Sequence, residues 1–412
     1  MGENAGVRPD ALKTGRVTSL EVLRACCALA VLIAHVWGEG VDLPQIGPLT
    51  AISHYSVEAV VGFFVLSGCV ISLQDYPNAG VYWRARLLRL LPIYYAVFVL
   101  SLALMLARGA SFTALQAVGN AAFLQSLDWE PLWPLRFFIP SWSLSFELYY
   151  YTAFLAILMV PRLLLPLLAA SAVVGLALSL LPAPPAPALW LLRAFAFFGL
   201  WLAGVLVTRL VQRGHAVTLG TGVFMFAVGL CLARLPWSEP VKFDCARLFG
   251  VGMGFAFLVW ALLSASPVGL AVPRRSCLDF GLPLRIAMAL LLLAVLWRLS
   301  ASFRSTKLEL SLMLAFATVT PTFLAALAAR VLRPATPLML YVAGLSYALY
   351  LVHYPLLQAF NLWHPMPPLV DFVAVLVLSF LLAHGLDYVF QPWVRARLRG
   401  RPAPQPLQAG GG

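Results

Sequence analysis

The stretch LEVLRACCALAVLIAHVW, residues 20–37, has the length and composition of a membrane-spanning helix, since a span needs about 20 mostly apolar residues. It nevertheless contains Glu21, Arg24 and His35. Ionisable side chains inside a span are costly, and they commonly mark functional sites. The same segment therefore predicts a membrane protein and supplies its first candidate functional residues.

The composition extends this prediction to the whole chain. Of its 412 residues, 62% are hydrophobic and 11% are charged, whereas a soluble domain is about 25% charged. One soluble core could not bury so much apolar surface, so we predict an all-α, polytopic transmembrane helix bundle of about 10–12 spans. The candidate spans are 20–38, 57–74, 91–107, 145–160, 163–181, 189–211, 217–235, 246–266, 283–300, 308–332, 338–359 and 369–390.

The formal net charge of +12 is explained by the membrane. In a soluble protein it would indicate a nucleic-acid partner, but here the arginines lie in short clusters between apolar runs, as in cytoplasmic loops. We therefore expect no nucleic-acid partner. With the N-terminus inside, the inner loops hold Arg84, Arg86, Arg89, Arg162, Arg209, Arg213, Arg274, Arg275, Arg330, Arg333, Arg395, Arg397, Arg399 and Arg401. The cluster Arg298, Arg304 and Lys307 is an exception on the outer side.

This charge pattern predicts the domain organisation and the location. Residues 1–19 are expected to be a cytoplasmic N-terminal tail, 20–392 a membrane domain, and 393–412 a basic and then Pro/Gly-rich cytoplasmic tail. The first apolar run is long enough to be retained as a span rather than cleaved as a signal peptide. We expect a multi-pass protein of a cell membrane, and the Ala-, Leu- and Arg-rich composition favours a bacterial inner membrane.

The ionisable residues of the first span share one face. Arg24 and His35 are eleven positions apart, which is three helical turns plus about 20°, and Glu21 lies one turn before Arg24. The rise from Arg24 to His35 is about 16 Å, or half the hydrocarbon thickness. The predicted topology therefore puts Glu21 and Arg24 near the cytoplasmic face and His35 in the outer half. A snorkelling arginine and a helix-packing histidine are the structural alternative.

Other polar residues are expected at the depth of His35. Glu147 and Ser143, four residues apart in SWSLSFE, lie at the outer end of their span, as does Glu58 in SVEAVVGFF. His353, in LSYALYLVH, lies in the outer half of its own span. Each residue alone is more often a structural hydrogen-bonding group, but together they favour a shared polar site.

Two further segments contribute candidates. In WRARLLRLLP, Arg86 and Arg89 lie about one helical turn apart, which suits two guanidiniums to holding phosphates, although both could simply follow the positive-inside bias. The longest outer loop, 109–142, contains Trp129, Trp133, Phe137 and Phe138. These aromatics are expected either in an interfacial belt or in a segment that binds the acceptor.

Five motifs in this order resemble those of the acyltransferase 3 family, multi-spanning O-acyltransferases of surface sugars, nodulation factors and related acceptors. They are Glu21-x-x-Arg24 followed by ten residues and His35, GFFVLSG at 62–68, Arg86-x-x-Arg89, SWSLSFE at 141–147 and LSYALYLVH at 345–353. The chain departs from the family in its surplus of candidate helices within 266–332. It also has Gln391-Pro392 where the last span often ends with Glu close to Pro.

The resemblance implies acyl transfer from a coenzyme A thioester to a hydroxyl. It implies that His35 is catalytic, that Arg24 is essential to the site, that Arg86 and Arg89 contact the donor, and that Glu147 matches the acidic residue of the fourth span. Supporting or acceptor-side roles are expected for Glu21, Glu58, Ser143, Tyr347 and His353.

We therefore expect an integral membrane O-acyltransferase that uses a cytoplasmic acyl-CoA, acetyl-CoA by default, as co-substrate. The acceptor is expected to be a carbohydrate or glycolipid at or beyond the outer face. The six cysteines have no metal-ligand spacing, so we expect no metal, and no bound cofactor. The alternative function is a polytopic transporter or flippase of a lipid-linked or small polar substrate.

Overall fold

A computed structural model describes residues 17–38, 55–127, 129–180, 186–233, 245–266, 269, 271–298, 304–363 and 367–398. These residues form helices and one short pair of strands. The helices are α1 Thr18–Gly38, α2 Ser56–Ser72, α3 Ala79–Ala107, α4 Ala114–Ala121, α5 Trp142–Met159, α6 Leu164–Leu180, α7 Ala186–Gln212, α8 Leu219–Ala233, α9 Cys245–Ser264, α10 Leu282–Arg298, α11 Arg304–Val319, α12 Pro321–Trp363, α13 Pro368–His384 and α14 Gln391–Leu398. Strands β1 His215–Val217 and β2 Ser276–Leu278 pair in parallel, with Ala216 opposite Cys277.

The predicted polytopic, all-α membrane protein is confirmed. In the described part of the chain, seven helical segments are long and apolar enough to cross a membrane. They are Thr18–Trp37, Ala79–Ala107, Pro161–Leu178, Ala188–Gln212, Arg247–Ser264, Arg333–Phe360 and Leu369–Leu398. Three shorter apolar helices, Ser56–Ser72, Leu219–Ala233 and Leu282–Val295, are also present.

Several predicted boundaries differ from the structure, and two of them concern the candidate segments. The expected span 308–332 is divided, because α11 ends at Val319 and a new helix begins at Pro321. Proline is favoured in the first turn of a helix, where its missing N–H is not needed. The expected span 91–107 instead begins at Ala79, capped by the Asn78 side chain, and continues through Pro92. The arginines of WRARLLRLLP therefore belong to this helix rather than to a loop.

The described residues cluster into two compact units. The first comprises residues up to 27, 57–75 and 156–340, and the second comprises 28–56, 76–155 and 341 onward. In the first unit α6 and α9 pack against α7, α8 packs against α9, and α10 and α8 pack against α11. Phe224, Cys231, Ala289 and Leu314 form a buried cluster there.

Glycine permits a close helix crossing in the first unit. A Cβ atom added to Gly68 of α2 would clash with the Trp201 backbone carbonyl, and one added to Gly204 of α7 would clash with the Val65 carbonyl. Thr208 adds a hydrogen bond across this crossing, from its hydroxyl to the Cys69 carbonyl at 3.2 Å. Small residues at such crossings let two backbones approach and pack by dispersion, which drives helix association in membranes.

The second unit contains the C-terminal half of α1, α3, α4, most of α5, the C-terminal half of α12 and the last helices. Buried side chains hold the segment 109–142 against this frame. The Gln125 amide donates to the Tyr94 hydroxyl at 3.0 Å and to the Ser141 carbonyl at 2.9 Å. The Asn120 amide donates to the Trp133 carbonyl at 3.0 Å.

The four aromatic residues singled out in that segment fall into two classes. Phe137 and Phe138 are fully buried, so they belong to the core of the unit rather than to a surface. Trp129 and Trp133 are 53% and 48% exposed. Only these two indoles therefore remain available for an interfacial belt or for contact with an acceptor.

Candidate active site

Two histidines from different helices meet in the second unit. His353 Nε2, on α12, lies 3.4 Å from His35 Nδ1, on α1, and the ring centroids are 5.1 Å apart. His35 Nδ1 also lies 2.9 Å from the Val31 carbonyl, and His353 Nδ1 lies 3.0 Å from the Leu349 carbonyl. Both rings are thus oriented by the helix that carries them and by each other.

These partners assign the tautomers of the two neutral rings. A carbonyl oxygen only accepts, so the proton of each ring belongs on the Nδ1 that faces it. His353 Nε2 then has a lone pair that faces the His35 Nδ1–H. His35 Nε2 also has a lone pair, and it is the atom of this ring suited to accept a proton.

Two tyrosines pack against the histidine pair. Tyr354 packs its ring edge to face with His35, with centroids 5.5 Å apart, and Tyr350 lies near His353. His353 is fully buried, whereas His35 is partly exposed. His35 is therefore the more accessible of the two rings.

A polar stripe on α5 contains two of the predicted residues. Ser143, Glu147 and Tyr151 follow each other at intervals of four and so share one helix face. The Ser143 hydroxyl lies 2.8 Å from the Tyr350 hydroxyl, which itself donates to the Pro140 carbonyl at 2.7 Å. Ser143 therefore acts as the donor to Tyr350.

Glu147 and Tyr151 form the second part of this stripe. The Tyr151 hydroxyl donates to a Glu147 carboxylate oxygen at 2.6 Å. Tyr151 lies within electrostatic range of Arg86 and Arg89, and Glu147 within range of Tyr350. The stripe thus extends from the neighbourhood of the arginines to Tyr350, which lies beside His353.

The predicted phosphate clamp lies on α3. Arg86 is buried, and its guanidinium donates to the Tyr76 hydroxyl at 2.7 Å while lying over the Tyr76 ring. Burial raises the pKa of the Tyr76 hydroxyl, although Arg86 and Arg89 act in the opposite direction, so Tyr76 stays protonated at neutral pH. Tyr347, another predicted residue, donates from α12 to the Leu90 carbonyl of α3 at 2.8 Å.

The remaining predicted residues belong to the first unit. Arg24 Nη1 and a Glu21 carboxylate oxygen are 2.9 Å apart, so the expected neighbours on one helix face form an ion pair. The Glu58 carboxylate is buried and lies 3.7 Å from Arg247 Nη2 of α9. Arg247 was not predicted, although its position at the start of the expected span 246–266 was an available signal.

The described residues contain no group of three or more His, Cys, Asp or Glu side chains arranged to hold a metal ion. The side chains described above offer imidazole, hydroxyl, carboxylate and guanidinium groups.

Comparison with known proteins identifies the family. The model of the acyltransferase 3 family, described as an acyltransferase domain, matches residues 17–386, which is most of the chain. The chain belongs to the acyltransferase 3 family. Acyltransferase MdmB from Streptomyces mycarofaciens is 32% identical over 152 residues, which cover 34% of this chain and 38% of that protein. No solved structure matches the chain.

Membership in the acyltransferase 3 family confirms the resemblance, and the long apolar helices agree with a multi-pass membrane protein. The transporter alternative gains no support. Three of the motifs, those that contain Arg86, Glu147 and His353, lie in the second unit together with His35. The first motif is divided, since Glu21 and Arg24 belong to the first unit, and the motif that contains Gly68 lies wholly in the first unit.

Proposed function

We propose that this protein is an integral membrane O-acyltransferase that moves an acyl group, acetyl by default, from a cytoplasmic acyl-CoA to a hydroxyl of a carbohydrate or glycolipid. The observation that carries the proposal is the His35–His353 pair, whose geometry leaves a lone pair on His35 Nε2. Family membership and the resemblance to an acyltransferase of Streptomyces mycarofaciens support acyl transfer as the reaction class.

In this proposal His35 is a general base. Its Nε2 takes the proton of the acceptor hydroxyl as the oxygen forms a bond to the thioester carbonyl carbon. The tetrahedral intermediate then expels the coenzyme A thiolate, which receives the proton from the His35 imidazolium. The acceptor leaves as an ester that carries the acyl group, and coenzyme A leaves as the free thiol that carries the proton.

His353 stabilises the protonated form of His35 by accepting a hydrogen bond from it. When Nε2 gains a proton, the imidazolium keeps its Nδ1–H directed at the Val31 carbonyl and at His353 Nε2. A hydrogen bond from a charged donor is stronger than one from a neutral donor, so both acceptors favour proton uptake. His353 is thus a positioning residue for the base.

Arg86 and Arg89 would bind the phosphates of the donor, since guanidiniums form directional hydrogen bonds with phosphate oxygens. The stripe of Ser143, Glu147 and Tyr151 offers hydrogen-bonding groups between these arginines and the histidines. Arg24 holds Glu21 in an ion pair within the first unit, and the family resemblance implies an essential role for it, either in this pair or in stabilising negative charge on the donor. The exposed indoles of Trp129 and Trp133 would contact the acceptor.

Mass spectrometry of glycans, glycolipids and lipids from cells that express the protein tests the proposal. Wild type should add a mass of one acyl group to a cellular acceptor, and His35→Ala should not. His215→Ala is the matched control, because this histidine lies on β1 in the first unit, where its ring contacts Ser276.

Immunoblotting confirms that the variants are present in equal amounts. The same product from His35→Ala would overturn the base assignment and leave the enzyme class intact. The absence of any acyl product from wild type, with acyl-CoA donors and acceptors supplied, would contradict acyl transfer itself.

A further inference from the structure

The last span changes its helical pitch at an acidic residue. Between α13 and α14, Gly385–Phe390 form a π-helical turn that includes Asp387. Such turns are rare, and they occur frequently at functional sites. Asp387 Oδ2 is buried and has no hydrogen-bond partner among the described residues, and the carboxylate lies within electrostatic range of Arg89 and Arg395.

Pro92 explains how Arg395 reaches this position. A proline inside a helix has no N–H for the carbonyl four residues earlier, so the Leu88 carbonyl loses its helical partner. Arg395 Nε of α14 lies 3.5 Å from that carbonyl oxygen. One turn earlier on α14, the Gln391 amide donates to the Arg89 carbonyl at 2.8 Å.

Arg395 therefore differs from Arg397, its neighbour on the same helix. Arg395 is half-buried and is directed toward α3 at the level of Arg89. Arg397 is exposed and lies over the Trp393 ring, 5.3 Å from its centroid. The sequence pattern predicts that both arginines are charges of a basic tail. In the structure, Arg395 instead lies against α3, next to the turn that carries Arg86 and Arg89.

We propose that Arg395 is a third guanidinium of the donor's phosphate site, together with Arg86 and Arg89, and that Asp387 balances part of their charge while the site is empty. This inference rests on the proposed use of acyl-CoA. Coenzyme A has a diphosphate and a separate 3′-phosphate, so two adjacent arginines leave part of its charge unmatched. A third cation from another helix extends the site to a more distant phosphate.

Binding measurements on purified protein in lipid nanodiscs test this role. Calorimetric titration with coenzyme A should show affinity reduced about tenfold or more by Arg395→Gln, which is about 1.4 kcal/mol. Arg395→Lys should recover part of the affinity, and Arg397→Gln should bind as wild type does. Acetyl-pantetheine lacks the nucleotide phosphates, so its binding should be the same in all four proteins.

Asp387→Asn supplies a second, independent variant. Without the carboxylate, Arg89 and Arg395 repel each other in the empty protein, so its melting temperature should fall and coenzyme A should restore it. Equal coenzyme A affinity in Arg395→Gln and wild type would overturn the inference and leave the proposed function intact. Weaker binding of acetyl-pantetheine to Arg395→Gln would indicate a structural role and would also overturn it. Failure of wild type to bind coenzyme A would remove the donor assignment, and this inference with it.

Discussion

Replacing Gly68 by alanine tests the helix crossing that supports the first unit. Gly68 belongs to the GFFVLSG motif of the acyltransferase 3 family, and a Cβ atom at this position would lie well under 3.0 Å from the Trp201 carbonyl oxygen. Ordinary contacts of such an atom begin at 3.4 Å. Because the obstacle is backbone on a packed helix, α2 and α7 must separate to admit the methyl group.

The expected cost follows from this geometry. Overpacking a tightly packed core costs about 1–3 kcal/mol, and separation also weakens the hydrogen bond from Thr208 to the Cys69 carbonyl. We therefore expect Gly68→Ala to destabilise the protein by about 3 kcal/mol. At about 2 °C per kcal/mol for large domains, the melting temperature should fall by about 6 °C.

Thermal unfolding in detergent, followed by fluorescence-detected size exclusion, measures this effect. Gly62→Ala is the matched control on the same helix, because its nearest neighbours are the Phe255 ring and the Cys27 sulfur, side chains that can shift. Gly62→Ala should therefore melt closer to wild type. If Gly68→Ala melts at the wild-type temperature, a glycine at this position is not needed for the close approach of the α2 and α7 backbones.

Two more predictions concern pairs of polar side chains. His353→Phe should lower kcat about tenfold without changing KM, because one hydrogen bond to His35 is lost while the Val31 carbonyl still holds the tautomer. His353→Gln, whose amide oxygen accepts, should recover part of the rate, and steady-state kinetics with acetyl-CoA would contradict the positioning role if both variants matched wild type. Glu58→Gln should lower the melting temperature because Arg247 loses its counter-charge, and adding Arg247→Gln should restore much of it. Strictly additive losses in that double-variant cycle would show that the two side chains do not interact.

Much of the helical architecture could be predicted from hydrophobic length and helical spacing. The Glu21–Arg24 ion pair follows from their separation by three residues, and Ser143 and Glu147 share a face because they are four residues apart. Such local relations depend only on the geometry of one helix. The start of α3 at Ala79 was missed because the Arg-rich turns are too polar to resemble a span, although arginine and leucine favour helices.

The remaining features depend on packing between segments that are distant in sequence. His35 and His353 are 318 positions apart, and equal predicted depth could suggest that they meet but could not fix which ring nitrogen faces which. Asp387 was not predicted, because its position in a π-helical turn cannot be recognised from the pattern of apolar residues. Arg395 resembled a tail charge because the carbonyl freed by Pro92 becomes evident only when α14 lies beside α3.

The segment 109–142 also bears on how members of this family can diverge. The buried amides of Gln125 and Asn120 hold its backbone through hydrogen bonds, and these bonds do not involve the exposed side chains of Trp129 and Trp133. Replacing either indole leaves those hydrogen bonds in place, and surface substitutions away from buried features usually change stability little. Under the proposed function, new acceptor preferences could therefore arise by mutation at this surface while the histidine pair and the folded core stay the same.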